Sequence, residues 1–180
     1  IVHCAPEQVR IGMPLELVFQ QTDPEMRLPM FRPVMPLPNR RTLPFGEVHP
    51  GQELPLHPID VTTRRIVAGA IATRDFMPVH HDKGYAQHQG APDIFMNILT
   101  SNGLMMTYLE QWAGPQAVIK DISIKLSVPN FPRDKMDMNA RVTRKWQDGG
   151  EHLIEVTFSG DNQMGPHANG TAIISLPMRG

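Results

Sequence analysis

The chain has 180 residues, 17 of them basic and 18 acidic, with a formal net charge of −1 and a sequence pI of about 6.8. Near-neutrality gives no electrostatic footprint for nucleic acid or an anionic membrane. A lone cysteine, Cys4, excludes an internal disulfide framework and a cysteine-cluster zinc site. Apolar runs are too short to span a bilayer, and no charged-then-apolar leader opens the chain, so a cytoplasmic protein is expected. Ile1 in place of Met reads as the start of a processed piece or a fragment. Eleven of the 18 prolines crowd the first third, while the 12 methionines either fill a core or line an adaptable apolar pocket.

Residues 1–37 do not read as an independent domain. A turn is expected at Ile11–Gly12, followed by a half-buried strand with Leu15, Leu17 and Phe19 alternating. The stretch "DPEMRLPMFRPVMPLPNRR" is proline-punctuated and extended. So short a segment must dock on something else. Residues 38–55 read as a Pro-rich linker, and the folded domain spans 56–180. In "TTRRIVAGAIAT", Thr62 or Thr63 is an N-cap, and Ile66, Val67, Ala70 and Ile71 share a helical face. That helix should stop near Asp75, because Pro78 disfavours helical geometry at Met77. "HDKGYAQHQG" predicts a short helix capped by Asp82 and closed by Gly90.

"DIFMNILTSNGLMMTYLEQWAG" predicts a long, largely buried helix over 93–112, capped by Asp93 and ended by Gly114 and Pro115. At about 1.5 Å per residue it should run roughly 30 Å. The remainder alternates in strands: Ile122, Ile124, Leu126 and Val128; Met138, Ala140 and Val142; Ile154, Val156 and Phe158; then "GTAIISLP". Asp148–Gly149–Gly150 and the stretch from Asn162 to Gly170 supply turns. The expected class is α+β, a long helix wrapped by a curved antiparallel meander.

Asp75 and His80 stand five residues apart with Pro78 between them. An isolated pair of this kind can be a turn cap and a solvated histidine. However, "DFMPVHHDKGYA" resembles the signature of MaoC-like (R)-specific enoyl-CoA hydratases, with Thr73, Asp75, Pro78, Val79, His80 and Ala86 in register. Arg74 replaces the usual glycine and Met77 the usual asparagine. "GDNQMGPHANGTAIISLP" is similar to the last hairpin of that family. "DIFMNILTSNGL" and "WAGPQAVIKDISIKLSVP" resemble the catalytic subunit of actinobacterial steroid side-chain hydratases. "RIGMPLELVFQQTDPEMRLPMFRP" resembles the C-terminal end of OB-fold domains that accompany acyl-CoA enzymes.

The resemblance implies a hot-dog fold that adds water to a 2-enoyl-CoA with a bulky, steroid-like acyl group. Asp75 and His80 share a water as general base and acid. It places the oxyanion donors at backbone N–H groups near Asp93 and Ile94, at the start of the long helix. Met77, Asn97 and Arg74 are candidate substrate contacts, and Arg74, Lys83 and Arg40 could meet coenzyme A phosphates. His81 reads as a neighbour of the catalyst; His88, His152 and His167 read as surface or structural residues. No metal is implied, and no cofactor beyond the coenzyme A thioester that is the substrate. A homodimer, or a heteromer with another MaoC-like or OB-fold chain, is expected as the assembly. A hot-dog thioesterase and a non-catalytic acyl-CoA-binding subunit are the alternatives.

Overall fold

The computed structural model describes Pro6, residues 15–21, 27–33 and 41–179. The turn expected at Ile11–Gly12, Cys4 and Arg40 lie outside the described residues. The chain divides into two compact units, residues 1–40 and 41–180.

In the first unit, β1 (Leu15–Gln21) and β2 (Arg27–Pro33) form an antiparallel hairpin, running from Leu15 opposite Pro33 to Gln21 opposite Arg27. The proline-punctuated stretch, read as extended chain, makes a strand paired with β1. Leu15 and Leu17, expected on a half-buried face, are exposed, as are Leu28 and Phe31.

The second unit is a five-stranded antiparallel sheet packed on one long helix. Its strands are β3 (His57–Asp60), β4 (Val118–Leu126), β5 (Lys135–Asp148), β6 (Glu151–Asn162) and β7 (Gly165–Ser175), in the order β3-β5-β6-β7-β4. Only β5, β6 and β7 form a meander, so the expected topology needs correcting. β4 docks on β7, from Val118 opposite Ser175 to Leu126 opposite Ala168. The second turn is also shorter than expected: β7 starts at Gly165, so residues 165–170 are strand. The first turn holds as read, with Gly149 and Gly150 both at positive φ.

Alternation along the strands builds the core. Met136, Met138, Ala140 and Val142 of β5, Ile154, Val156 and Phe158 of β6, and Ala168, Ala172 and Ile174 of β7 are all buried. With Met96 and Met105 also buried, several methionines are core fillers, while Met77, Met164 and Met178 are exposed. The stretch expected as linker packs tightly from Arg41 on. Thr42, Phe45, Val48 and Leu54 are buried, and Leu43 N–H donates to Ala113 O at 2.9 Å.

Three helices complete the unit: α1 (Thr63–Ala72), α2 (Lys83–His88) and α3 (Ile98–Ala113). Thr62 Oγ1 caps α1 by accepting from Arg65 N–H at 3.1 Å. Asp82 caps α2 by accepting from Tyr85 N–H at 2.9 Å. In α1, Ile66 and Ala70 are buried, but Ile71 is exposed. The long helix begins at Ile98 rather than near Asp93, and its N-cap is Asn97. It spans 16 residues, about 24 Å at the α-helical rise. Among the described residues no helix is long and apolar enough to cross a membrane.

Candidate active site

The expected catalytic pair sits in the connection between α1 and α2. α1 ends at Ala72, and Thr73 Oγ1 donates back to Gly69 O at 2.8 Å. Arg74 then turns the chain with φ 58°, and Pro78–His80 form a single 3-10 turn. The backbone thereby aims Asp75 and His80 at one another. His80 Nε2 lies 3.3 Å from Asp75 Oδ2, with side-chain exposures of 8 % and 23 %.

Each member is held by a second group. His80 Nδ1 lies 2.7 Å from Phe95 O. A carbonyl can only accept, so Nδ1 carries a proton and fixes the ring orientation. The Phe95 ring stands edge-on to the imidazole at 5.3 Å and edge-on to Phe131 at 6.3 Å. Asp75 Oδ2 accepts from Asn97 Nδ2 at 2.9 Å, and Oδ1 accepts from Met77 N–H at 3.3 Å. The Asn97 hydrogen bond chiefly holds the Asp75 carboxyl below the ordinary range, aided by Met77 N–H and the His80 ring, against a rise from burial. Asp75 is therefore an ionised carboxylate at neutral pH.

Asn97 is the hub of the site. It is buried, its Nδ2 also donates to Thr73 Oγ1 at 2.9 Å, and its Oδ1 accepts from Thr100 N–H at 3.0 Å to cap α3. One side chain thus starts the long helix and orients the carboxylate. Sequence reading placed Asn97 as a candidate substrate contact and missed this bracing role. An asparagine directly before the apolar run was the available N-cap signal. The Phe95 carbonyl had no signal, because a backbone acceptor is independent of side-chain identity.

Asp93 and Ile94, expected as the oxyanion region, lie before the helix. Ile94 N–H is engaged by Asp93 Oδ1 at 2.8 Å. Asp93 also pairs with Lys83 at 2.8 Å; that ammonium, then Ile94 N–H, holds its carboxyl below the usual range. This pair engages the Lys83 charge expected for coenzyme A. At the true helix start, Asn97 Oδ1 serves Thr100 and Asn97 O serves Ser101. The N–H groups of Ile98 and Leu99 lack an intrahelical acceptor by their position. Arg74 and Met77 are exposed on the loop rim, and Met77 contributes its N–H to Asp75. Among the described residues no group of three or more His, Cys, Asp or Glu is arranged to hold a metal ion.

No family model matches the sequence. One relative, the 3-oxo-4,17-pregnadiene-20-carboxyl-CoA hydratase beta subunit of Mycobacterium tuberculosis, is 46 % identical over 114 residues, 63 % of this chain and 84 % of the relative. The chain belongs to the MaoC-like hydratases. The solved ChsH1–ChsH2 complex of M. tuberculosis contains a chain that matches with a TM-score of 0.67 and 41 % identity, over 71 % of this chain and 98 % of that one. R-hydratase PhaJ1 of Pseudomonas aeruginosa matches with a TM-score of 0.69 and 20 % identity, over 76 % and 87 % of the two chains. That last likeness speaks for the shared hot-dog fold alone, which this MaoC-like chain builds from its α3 and five-stranded sheet.

Proposed function

We propose that this MaoC-like chain hydrates the 2,3 double bond of a 2-enoyl-CoA thioester. The observation that carries the reading is the approach of an ionised Asp75 to a ring-locked His80, each braced by its own hydrogen bond. With Nδ1–H on Phe95 O, His80 Nε2 presents a lone pair toward Asp75 Oδ2. A water seated beside the pair can bridge it, donating a hydrogen to each acceptor and turning its oxygen toward Cβ. As that oxygen bonds to Cβ, its proton passes to His80 Nε2 and the alkene electron pair moves to the enolate. Asp75 stabilises the imidazolium. His80 then returns the proton to Cα, so the net change is addition of one water.

Enolate charge is stabilised at the start of α3, where the Ile98 and Leu99 N–H groups and the helix dipole point outward. This assignment replaces Asp93 and Ile94. The substrate is proposed to carry a bulky steroid-like acyl group, supported by the name of the 46 % identical relative. The end of α1, the loop after it and the start of α3 leave Ile71, Phe76, Met77, Ile98 and Leu99 exposed. A second MaoC-like chain is proposed to cover them, as ChsH1 and ChsH2 form a complex. The β1–β2 hairpin is proposed to end an OB-fold domain of the same acyl-CoA machinery.

The test is the ultraviolet band of an enoyl thioester mixed with the protein, alone and with a MaoC-like partner chain. Loss of the band without thiol release is the expected result. Thiol release would make the chain a thioesterase, and an unchanged band in both mixtures would leave it a binding subunit.

A further inference from the structure

One buried histidine takes no part in this chemistry. His167, on β7, is 1 % exposed, and Ser101, in the first turn of α3, is fully buried. Ser101 Oγ lies 2.7 Å from His167 Nε2, and His167 Nδ1 lies 2.7 Å from Val128 O. The Val128 carbonyl can only accept, so Nδ1 carries the proton and Nε2 accepts from the Ser101 hydroxyl. Burial pushes the imidazole pKa down, in keeping with a ring that holds a single proton. Both groups are too deep to touch substrate as nucleophile or base.

Each arm of this ring ends on an element that holds one member of the catalytic pair. On the Nε2 side, Ser101 N–H donates to Asn97 O at 3.2 Å, and Asn97 holds Asp75. On the Nδ1 side, Val128 lies at the start of the 127–134 loop between β4 and β5. There Asn130 O accepts from Met96 N–H at 3.0 Å, and Phe131 meets Phe95, whose carbonyl holds His80.

We propose that Ser101 and His167 are positioning residues, a brace beneath the site that sets the spacing of Asp75 and His80. Misplacing a reacting group by an ångström lowers a rate by about 100-fold, so a modest shift of this brace is kinetically visible. The inference rests on the hydratase reading for its kinetic arm alone. Ser101→Ala and His167→Leu remove the bond, whereas His167→Gln keeps one donor and one acceptor. In the full chain, nitrogen-15 NMR of the His80 ring reads its setting without substrate.

The ring signals of His80 are expected to shift in Ser101→Ala and His167→Leu and to stay near the parent values in His167→Gln. Hydration kcat should fall about ten-fold in the first two with KM held within about two-fold. An unchanged His80 signal in Ser101→Ala overturns the brace, as does a His167→Gln protein shifted as far as His167→Leu. Should His167→Leu fail to fold, Ser101→Ala and His167→Gln still decide the matter. A parent chain that hydrates nothing would sink the hydratase reading while leaving the NMR comparison intact.

Discussion

At Arg74 the backbone adopts φ 58°, a conformation that glycine takes freely and other residues take at about 1–2 kcal/mol. The MaoC-like signature has glycine there, so arginine at this position has a conformational cost and leaves Asp75 and His80 within 3.3 Å of each other. Arg74→Gly is expected to raise stability by about 0.5–1 kcal/mol, less than the full strain because glycine has more freedom to lose on folding; chemical denaturation measures it. At the pair proposed to react, Asp75→Asn and His80→Ala should each raise the hydration barrier by about 2–4 kcal/mol while the circular dichroism stays unchanged. Near-normal rates in both variants would refute the proposed chemistry. Asn97→Ala removes the largest influence that lowers the Asp75 pKa and leaves the opposing effect of burial. The acid limb of the pH–rate profile should therefore move to higher pH. Because the folded pKa of Asp75 is depressed, its stabilising contribution is present above the ordinary carboxylate range and is lost as pH falls from that range through the lower folded pKa. In Asn97→Ala this acid-sensitive contribution should shrink, and loss of the α3 cap should cost about 1 kcal/mol at neutral pH.

Helix α1 meets α3 where Gly69 faces Thr100. A Cβ built on Gly69 would stand 2.2 Å from Thr100 Oγ1 and 2.7 Å from its Cγ2. Alanine normally favours a helix interior over glycine by about 1 kcal/mol, but here the overlap forces apart the elements that carry Thr73 and Asn97. Gly69→Ala is expected to destabilise by about 1–3 kcal/mol, and a stabilised variant in thermal unfolding would contradict this packing. Thr100 also has a buried Oγ1 without a hydrogen-bond partner. Thr100→Val, which keeps the shape and removes that orphan, should therefore be neutral or stabilising. In the sheet, a Cβ on Gly170 would approach Ser123 O to 1.9 Å and Phe158 Cζ to 2.7 Å. The small residue lets β4 lie against β7 above the Phe158 ring, a requirement of pairing that the sequence pattern around Gly170 did not reveal.

The second unit has a well-filled interior and an apolar rim around its site. Ile71, near the end of α1, and Phe76, in the loop that carries Asp75, are 60 % and 65 % exposed. Exposed apolar residues concentrated in this way fit a surface covered by another chain. Ile71→Ser and Phe76→Ser should change the stability of the isolated chain by no more than about 0.5 kcal/mol. Together they should weaken association with the MaoC-like partner proposed for this chain, as read by analytical ultracentrifugation; undiminished association would exclude this rim as the interface.

Local rules account for much that was legible beforehand. Alternation with period two marked β5 and β6, Thr62 and Asp82 announced their helices, and the glycines after Asp148 marked a hairpin, because each feature depends on neighbours within a few residues. The motif around Asp75 and His80, with Thr73, Pro78, Val79 and Ala86 in register, also resembled the family's signature. The start of α3 was misread because Asp93 and Asn97 are both competent caps, and the choice depends on partners far along the chain: Lys83 engages Asp93, while Thr73 and Asp75 engage Asn97. The place of β4 beside β7 and the reach of His167 to both Ser101 and Val128 arise from segments separated by tens of residues. By itself the sequence determined which residues can cap, alternate and exchange protons. Tertiary structure decided which of them meet, since burial leaves each polar group only the partner that packing brings within hydrogen-bond reach.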